Sequence, residues 1–308
     1  MHDQADQLRK LVRQAVAIDG SFAPGGPVVA LSGARPGVGV TTAACGLAKQ
    51  FAHLGKQVIL IDANLQRPSS SNHASTSLDQ AWSGLAPKHA PRSCSLNEVL
   101  AGKRRAVEAL VAVADGVRVL PGDAAGEPPP LDRAAIDRCL AEFAALSQQA
   151  DVLLIDAGSG ASAWVDRLWH FAGQVLLVAP PESNAMLDAY AAVKLAQYHR
   201  LDHKFRLLLN RCDDEPAAAA LAQRFAATCR RFLFVGPRPH AMLPTHAGSE
   251  PAADVDQFLR ATRLLAADLA CDFRASAIRL PRTTSRPASA SAPTTNRLPA
   301  AHRLPSWG

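Results

Sequence analysis

The residues of this chain best placed to do chemistry are Ser32-Gly33-Ala34-Arg35-Pro36-Gly37-Val38-Gly39-Val40-Thr41-Thr42, a glycine loop between an apolar run, Val28–Leu31, and a helical stretch, Ala43–His53. In such a setting backbone N–H groups and a helix N-terminus converge on an anion. A hydroxyl at Thr41 or Thr42 can reach a bound Mg²⁺, so the segment reads as a phosphate-binding loop. The ordinary loop carries a lysine before the hydroxyl residue, where its ammonium meets the β- and γ-phosphates. Val40 stands there instead. A dinucleotide loop would need a third glycine where this chain has Thr42.

Two carboxylates close apolar runs: Asp62 follows Val58–Ile61, and Asp156 follows Val152–Ile155. An aspartate there either caps the next segment or, beside a phosphate loop, holds the Mg²⁺ water shell or orients a water. The metal-linked role is expected for Asp156, and Asp62 stays open between the two. Asn210-Arg211 ends the run Phe205–Leu209. It can be a turn, or its amide can read a purine edge with one donor and one acceptor, and spacing leaves both open.

These residues must be positioned by strands and helices in alternation. Strands are expected at Val28–Leu31, Val58–Ile61, Val117–Leu120, Val152–Ile155, Val175–Val178, Phe205–Leu209 and Phe232–Val235. Helices are expected at Leu131–Gln149, Asn184–Tyr198, Ala217–Phe232 and Ala253–Phe273. Several of the strands are apolar throughout, as strands buried on both faces must be. The pattern predicts an α/β fold: a doubly wound, mostly parallel sheet of about seven strands, with ligands at the strands' C-terminal ends. Residues 1–19 carry helical apolar spacing, 20–27 read as a linker, 28–274 as the phosphate-loop domain and 275–308 as a disordered Arg/Pro/Ser/Ala tail.

Composition narrows the function classes. Apolar residues make up 48% of the chain, enough for a large core. Of the net +6, five charges come from tail arginines, so the body is nearly neutral and no specific nucleic-acid footprint is expected. The six cysteines form no C-x-x-C pair, which reads as reduced structural thiols in a cytoplasmic protein. The first residues lack a signal peptide's apolar core, and no apolar run is long enough to span a membrane.

The loop, Asp62-Ala63-Asn64, Leu154-Ile155-Asp156-Ala157-Gly158 and Asn210 together resemble the MinD/ParA branch of P-loop ATPases. More narrowly, Asp3-Gln4-Ala5-Asp6-Gln7-Leu8-Arg9, the segments Ser95–Gly102 and Gly116–Pro121, and Pro181–Tyr190 resemble the FlhG/FleN family of flagellar-number regulators. The resemblance covers residues 3–274. It implies ATP and Mg²⁺ as cofactors, with Gly33, Arg35, Gly37, Gly39, Thr41, Thr42 and Asn210 at the nucleotide, Thr41 and Asp156 at the metal, and Asp62 and Asp156 at the chemistry. Arg35 takes the place of a signature lysine that in relatives reaches across an ATP-dependent homodimer, and Asn64 replaces the second carboxylate of a D-x-D pair. With Val40 and Asn64 both substituted, ATP hydrolysis is expected to be weak or absent.

Asp3, Gln4, Leu8 and Arg9 are implied to act on a partner, the flagellar SRP-type GTPase FlhF, with Gln4 stimulating its hydrolysis. A flagellar transcription regulator and C-ring components are further implied partners. Membrane contact is expected to be weak or none, with the protein cytoplasmic or peripheral at the inner membrane or cell pole. The alternatives are an active MinD/ParA-type ATPase and a MinD-like accessory protein of cellulose secretion.

Overall fold

Strands that are apolar on both faces must be covered twice, and the computed structural model of the chain shows that arrangement. It describes residues 24–65, 95–122, 131–160, 162–198, 204–234, 236, 238–245 and 252–279. In chain order the elements are β1 (Val28–Gly33), α1 (Val40–His53), β2 (Val58–Asp62), α2 (Leu96–Leu100), a 3₁₀ turn (Ala106–Ala109), β3 (Val111–Ala114), β4 (Val117–Leu120), α3 (Arg133–Ser147) and β5 (Val152–Ser159). They continue as α4 (Ala163–Phe171), β6 (Gln174–Ala179), α5 (Ser183–Tyr198), β7 (Phe205–Leu209), α6 (Glu215–Leu233), β8 (Arg238–Met242) and α7 (Ala252–Arg279). One sheet runs β3-β4-β2-β5-β1-β6-β7-β8, parallel throughout except for the β3–β4 pair.

The two-residue period of each strand divides the core. Val28 and Ala30, Ile59 and Ile61, Leu153 and Ile155, and Val175 and Leu177 face α3, α4, α5 and α6. Their neighbours Val29 and Leu31, Val58 and Leu60, Val152 and Leu154, and Leu176 and Val178 face α1 and α7. A Cβ on Gly46 would come within 2.8 Å of the Phe258 ring, so glycine lets α7 cross close over α1. Ion pairs from Arg206 to Asp268 and from Arg238 to Asp272 tie α7 to β7 and β8. Among the described residues no helix is long and apolar enough to cross a membrane.

Two expectations are refined and one is corrected. The sheet has eight strands where about seven were expected: the short, half-buried β3 pairs antiparallel along the β4 edge. No strand forms over the described residues of Phe232–Val235: α6 continues through Leu233, and the edge strand is Arg238–Met242. Phe225, Cys229 and Leu233 are buried at i, i+4 and i+8, while Phe232 is 60% and Phe234 90% exposed. Helical periodicity therefore overrode the local Phe-Leu-Phe run. Finally, α7 covers Ala252–Arg279, longer than the helix expected over Ala253–Phe273. The sequence reading also placed no element at α2 or α4.

Candidate functional site

The C-terminal ends of β1, β2, β5 and β7 bring the predicted residues together. Parallel pairing sets Leu31 beside Asp156 and Asp156 beside Asp62, so Asp156 borders the loop that leaves β1 and Asp62 lies one strand further out. In that loop Gly37 has φ 77° and Gly39 φ 92°, backbone conformations that favour glycine. Gly39 is the N-cap of α1 and makes no side-chain cap hydrogen bond. A helix start of this kind leaves backbone N–H groups for an anion.

Thr41 and Asp156 define the metal end of the site. Thr41 Oγ1 donates to Asp156 Oδ2 at 2.6 Å, and Gly158 N–H donates to Asp156 Oδ1 at 3.0 Å. Asp156 is wholly buried. A hydroxyl and a carboxylate so placed fit Mg²⁺, which needs few protein oxygens and takes the rest from phosphate and water. Asp62 is also buried, and its Oδ1 accepts from Asn64 N–H at 3.3 Å. A Cβ on Gly158 would lie 2.4 Å from Asn64 Oδ1, so the Asn64 amide lies against the backbone that follows Asp156. Trp164 Nε1–H donates to Ala63 O at 2.8 Å and pins the exit of β2.

Val40 shows what replaced the lysine. It is buried with Val38 in the α1/α7 side of the core, and a Cβ on Gly33 would come within 2.9 Å of Val40 Cγ2. The β-branched side chain thus packs down on the loop's first glycine rather than extending a charge over the loop. Two side chains after β7 clamp the loop from the other side. Asn210 Nδ2 donates to Val38 O at 2.8 Å, and Arg211 Nη2 donates to Gly37 O at 2.7 Å. The clamp is tight, since a Cβ on Gly39 would fall 2.2 Å from Asn210 Nδ2.

No family model matches the chain. Antiactivator FleN of Pseudomonas aeruginosa is 28% identical over 221 residues, covering 70% of this chain and 73% of that protein. The MinC:MinD cell division protein complex of Aquifex aeolicus superposes with a TM-score of 0.58 at 21% identity, over 83% of this chain and 99% of the matched one. The septum site-determining protein MinD of Pyrococcus horikoshii, complexed with Mg-ADP, gives a TM-score of 0.54 at 17% identity, over 82% and 97%. The chain is similar to antiactivator FleN and shares the fold of the MinD and ParA proteins.

Gly33, Gly37, Gly39, Thr41, Thr42, Asp62, Asp156 and Asn210 gather at one end of the sheet. Asn210 sits there as a loop clamp, with one of its amide donors on Val38 O. Arg35 is on the loop's flank, ion-paired with Glu182 ahead of α5. Asp3, Gln4, Leu8 and Arg9 lie outside the described residues. Arg211 and Glu182 were not singled out. Arg211 adjoins Asn210 and has φ 65°, a left-handed conformation that a sequence does not display. Burial raises the thiols of Cys139, Cys212 and Cys229 above their ordinary value, to about 11 for the last two, so these cysteines stay protonated and structural.

Proposed function

We propose that this chain regulates flagellar number and assembly as a MinD-like interaction switch that binds Mg²⁺ and ATP but turns it over weakly or not at all. One observation carries the reading: the Thr41–Asp156 pair and the glycine cradle are in place while Val40 packs into the position of the phosphate lysine. Mg-ATP would supply the charge that distinguishes the two states of the switch. The loop N–H groups would bind its phosphates, and Thr41 and Asp156 would hold the metal. Asn210 and Arg211 keep the loop in its binding shape through the carbonyls of Val38 and Gly37. Asn64 offers an amide where a second carboxylate would help orient a water, which removes one contribution to hydrolysis.

The FlhG/FleN resemblance of Asp3–Arg9 supports FlhF as the first partner, with the Gln4 amide orienting a water in the partner's site. A flagellar transcription regulator and C-ring components are further partners of the same class. In the structure Arg35 is paired with Glu182 of its own chain, so reaching a second copy in an ATP-dependent homodimer would exchange one carboxylate partner for a phosphate.

Two measurements test this function. Titration with Mg-ATP should show binding, with phosphate release far below the typical enzyme range of about 1–10³ per second; turnover within that range would overturn the degenerate-site reading. The full chain should stimulate GTP hydrolysis by FlhF, and Gln4→Ala should abolish that stimulation. Unchanged stimulation would remove the role of the N-terminal segment.

A further inference from the structure

The Ser95–Gly102 segment takes no part in the phosphate loop, yet it closes a second concave site. A cleft of about 390 Å³ lies between the turn after α2, the 3₁₀ turn and α3, and none of its lining residues belongs to the loop. Four cations line it, Lys103, Arg104, Arg105 and Arg138, against two carboxylates, Glu108 and Glu142. The carboxylates are already committed. Glu142 accepts from Ala106 N–H at 2.9 Å and pairs with Arg105 Nε at 3.8 Å. Glu108 accepts from Arg105 N–H at 3.4 Å, and Lys103 pairs with Glu98 at 3.5 Å.

That leaves Arg104 and Arg138, which come from different elements and make no ion pair or hydrogen bond with any described residue. Gly102 turns the chain beside Arg138 at φ 70°, a conformation that favours glycine, and Arg138 Nε lies 3.8 Å from where a Cβ would sit, an ordinary contact. Val99 and Ala141 give the same cleft an apolar wall.

We infer that this cleft is a second anion site, in which Arg104 and Arg138 hold the phosphoryl group of a small phosphorylated ligand. Two planar guanidinium forks present more donors than one carboxylate can serve, whereas a phosphate offers three oxygens to share between them. The volume lies toward the lower end of the range of about 300–1,000 Å³ typical of small-molecule pockets, so a compact ligand fits better than a polymer. The apolar wall would take its organic part. This inference does not depend on the state of the phosphate loop.

The test uses the full chain with pyrophosphate as the probe, titrated calorimetrically in saturating Mg-ADP so that the phosphate loop does not compete. Wild type should bind, and Arg104→Gln with Arg138→Gln should weaken binding at least tenfold without lowering Tm. Arg104→Lys with Arg138→Lys, which keeps charge but loses the forks, should fall between. If the glutamine pair does not fold, the two single variants replace it, each several-fold weaker than wild type. Absence of pyrophosphate binding by wild type, or equal binding by the glutamine variants, would overturn the site. So would wild type that ignores pyrophosphate but binds a poly-glutamate peptide, since the cleft would then serve protein carboxylates.

Discussion

Val40→Lys asks whether one buried methyl-bearing side chain is what separates this loop from a working one. Val40 is only 7% exposed, and its Cγ2 lies over Gly33, so a lysine stem can follow the same path while its ammonium extends toward the loop mouth. Losing roughly one buried methyl's worth of packing costs about 0.8 kcal/mol, or a fall in Tm of about 1–3 °C. The gain is electrostatic. An ammonium about 4 Å from a phosphate oxygen interacts by about 4 kcal/mol at an effective dielectric of about 20. Dehydration and side-chain ordering consume part of that, leaving about 1–3 kcal/mol, or roughly 5- to 150-fold tighter Mg-ATP. Hydrolysis should need more. Asn64→Asp restores a carboxylate beside the buried Asp62 and Asp156, and the like charges should destabilise the free protein. Turnover should therefore rise at least tenfold only when both substitutions are combined and Mg²⁺ is present. Calorimetry with Mg-ATP, phosphate release and thermal unfolding read the three quantities. Binding by Val40→Lys within twofold of wild type would refute the view that the missing cation limits this loop.

Other outcomes follow from single contacts. Asn210→Ala leaves the Val38 carbonyl without its donor inside a buried clamp, so it should lose about 1–3 kcal/mol of stability in urea unfolding and weaken nucleotide binding. Phe234 caps α6 at φ 56° while 90% exposed, and Phe234→Gly should gain about 0.5–1 kcal/mol because glycine adopts that conformation freely. The Cys212 and Cys229 thiols are raised from 9.0 to about 11, so folding favours their protonated forms. That stability is complete below pH 9 and is lost as pH rises towards 11, so the urea midpoint should fall across that window, and by less in a Cys212→Ala, Cys229→Ala variant.

The sequence by itself determined the sheet and most of its site. Val28–Leu31, Val58–Ile61 and Val152–Ile155 are apolar at every position, and such a run satisfies both faces only inside a covered parallel sheet. The glycines and Thr41 marked the loop because backbone conformation and a hydroxyl at fixed spacing are local properties. The Phe232–Val235 misreading shows where local pattern stops: four consecutive apolar residues carry no period, and only packing on β7 and β8 showed that Leu233 belongs to a helical stripe. Long-range geometry decided the rest. Asn210 reaches Val38 across 172 residues, and Arg211 reaches Gly37 across 174. Arg35 meets Glu182 only where β1 and β6 lie side by side. Arg104 and Arg138 share a cleft because Gly102 turns the chain back onto α3. Each of these depends on where a side chain points after the sheet has assembled, which residue types and spacing alone do not encode.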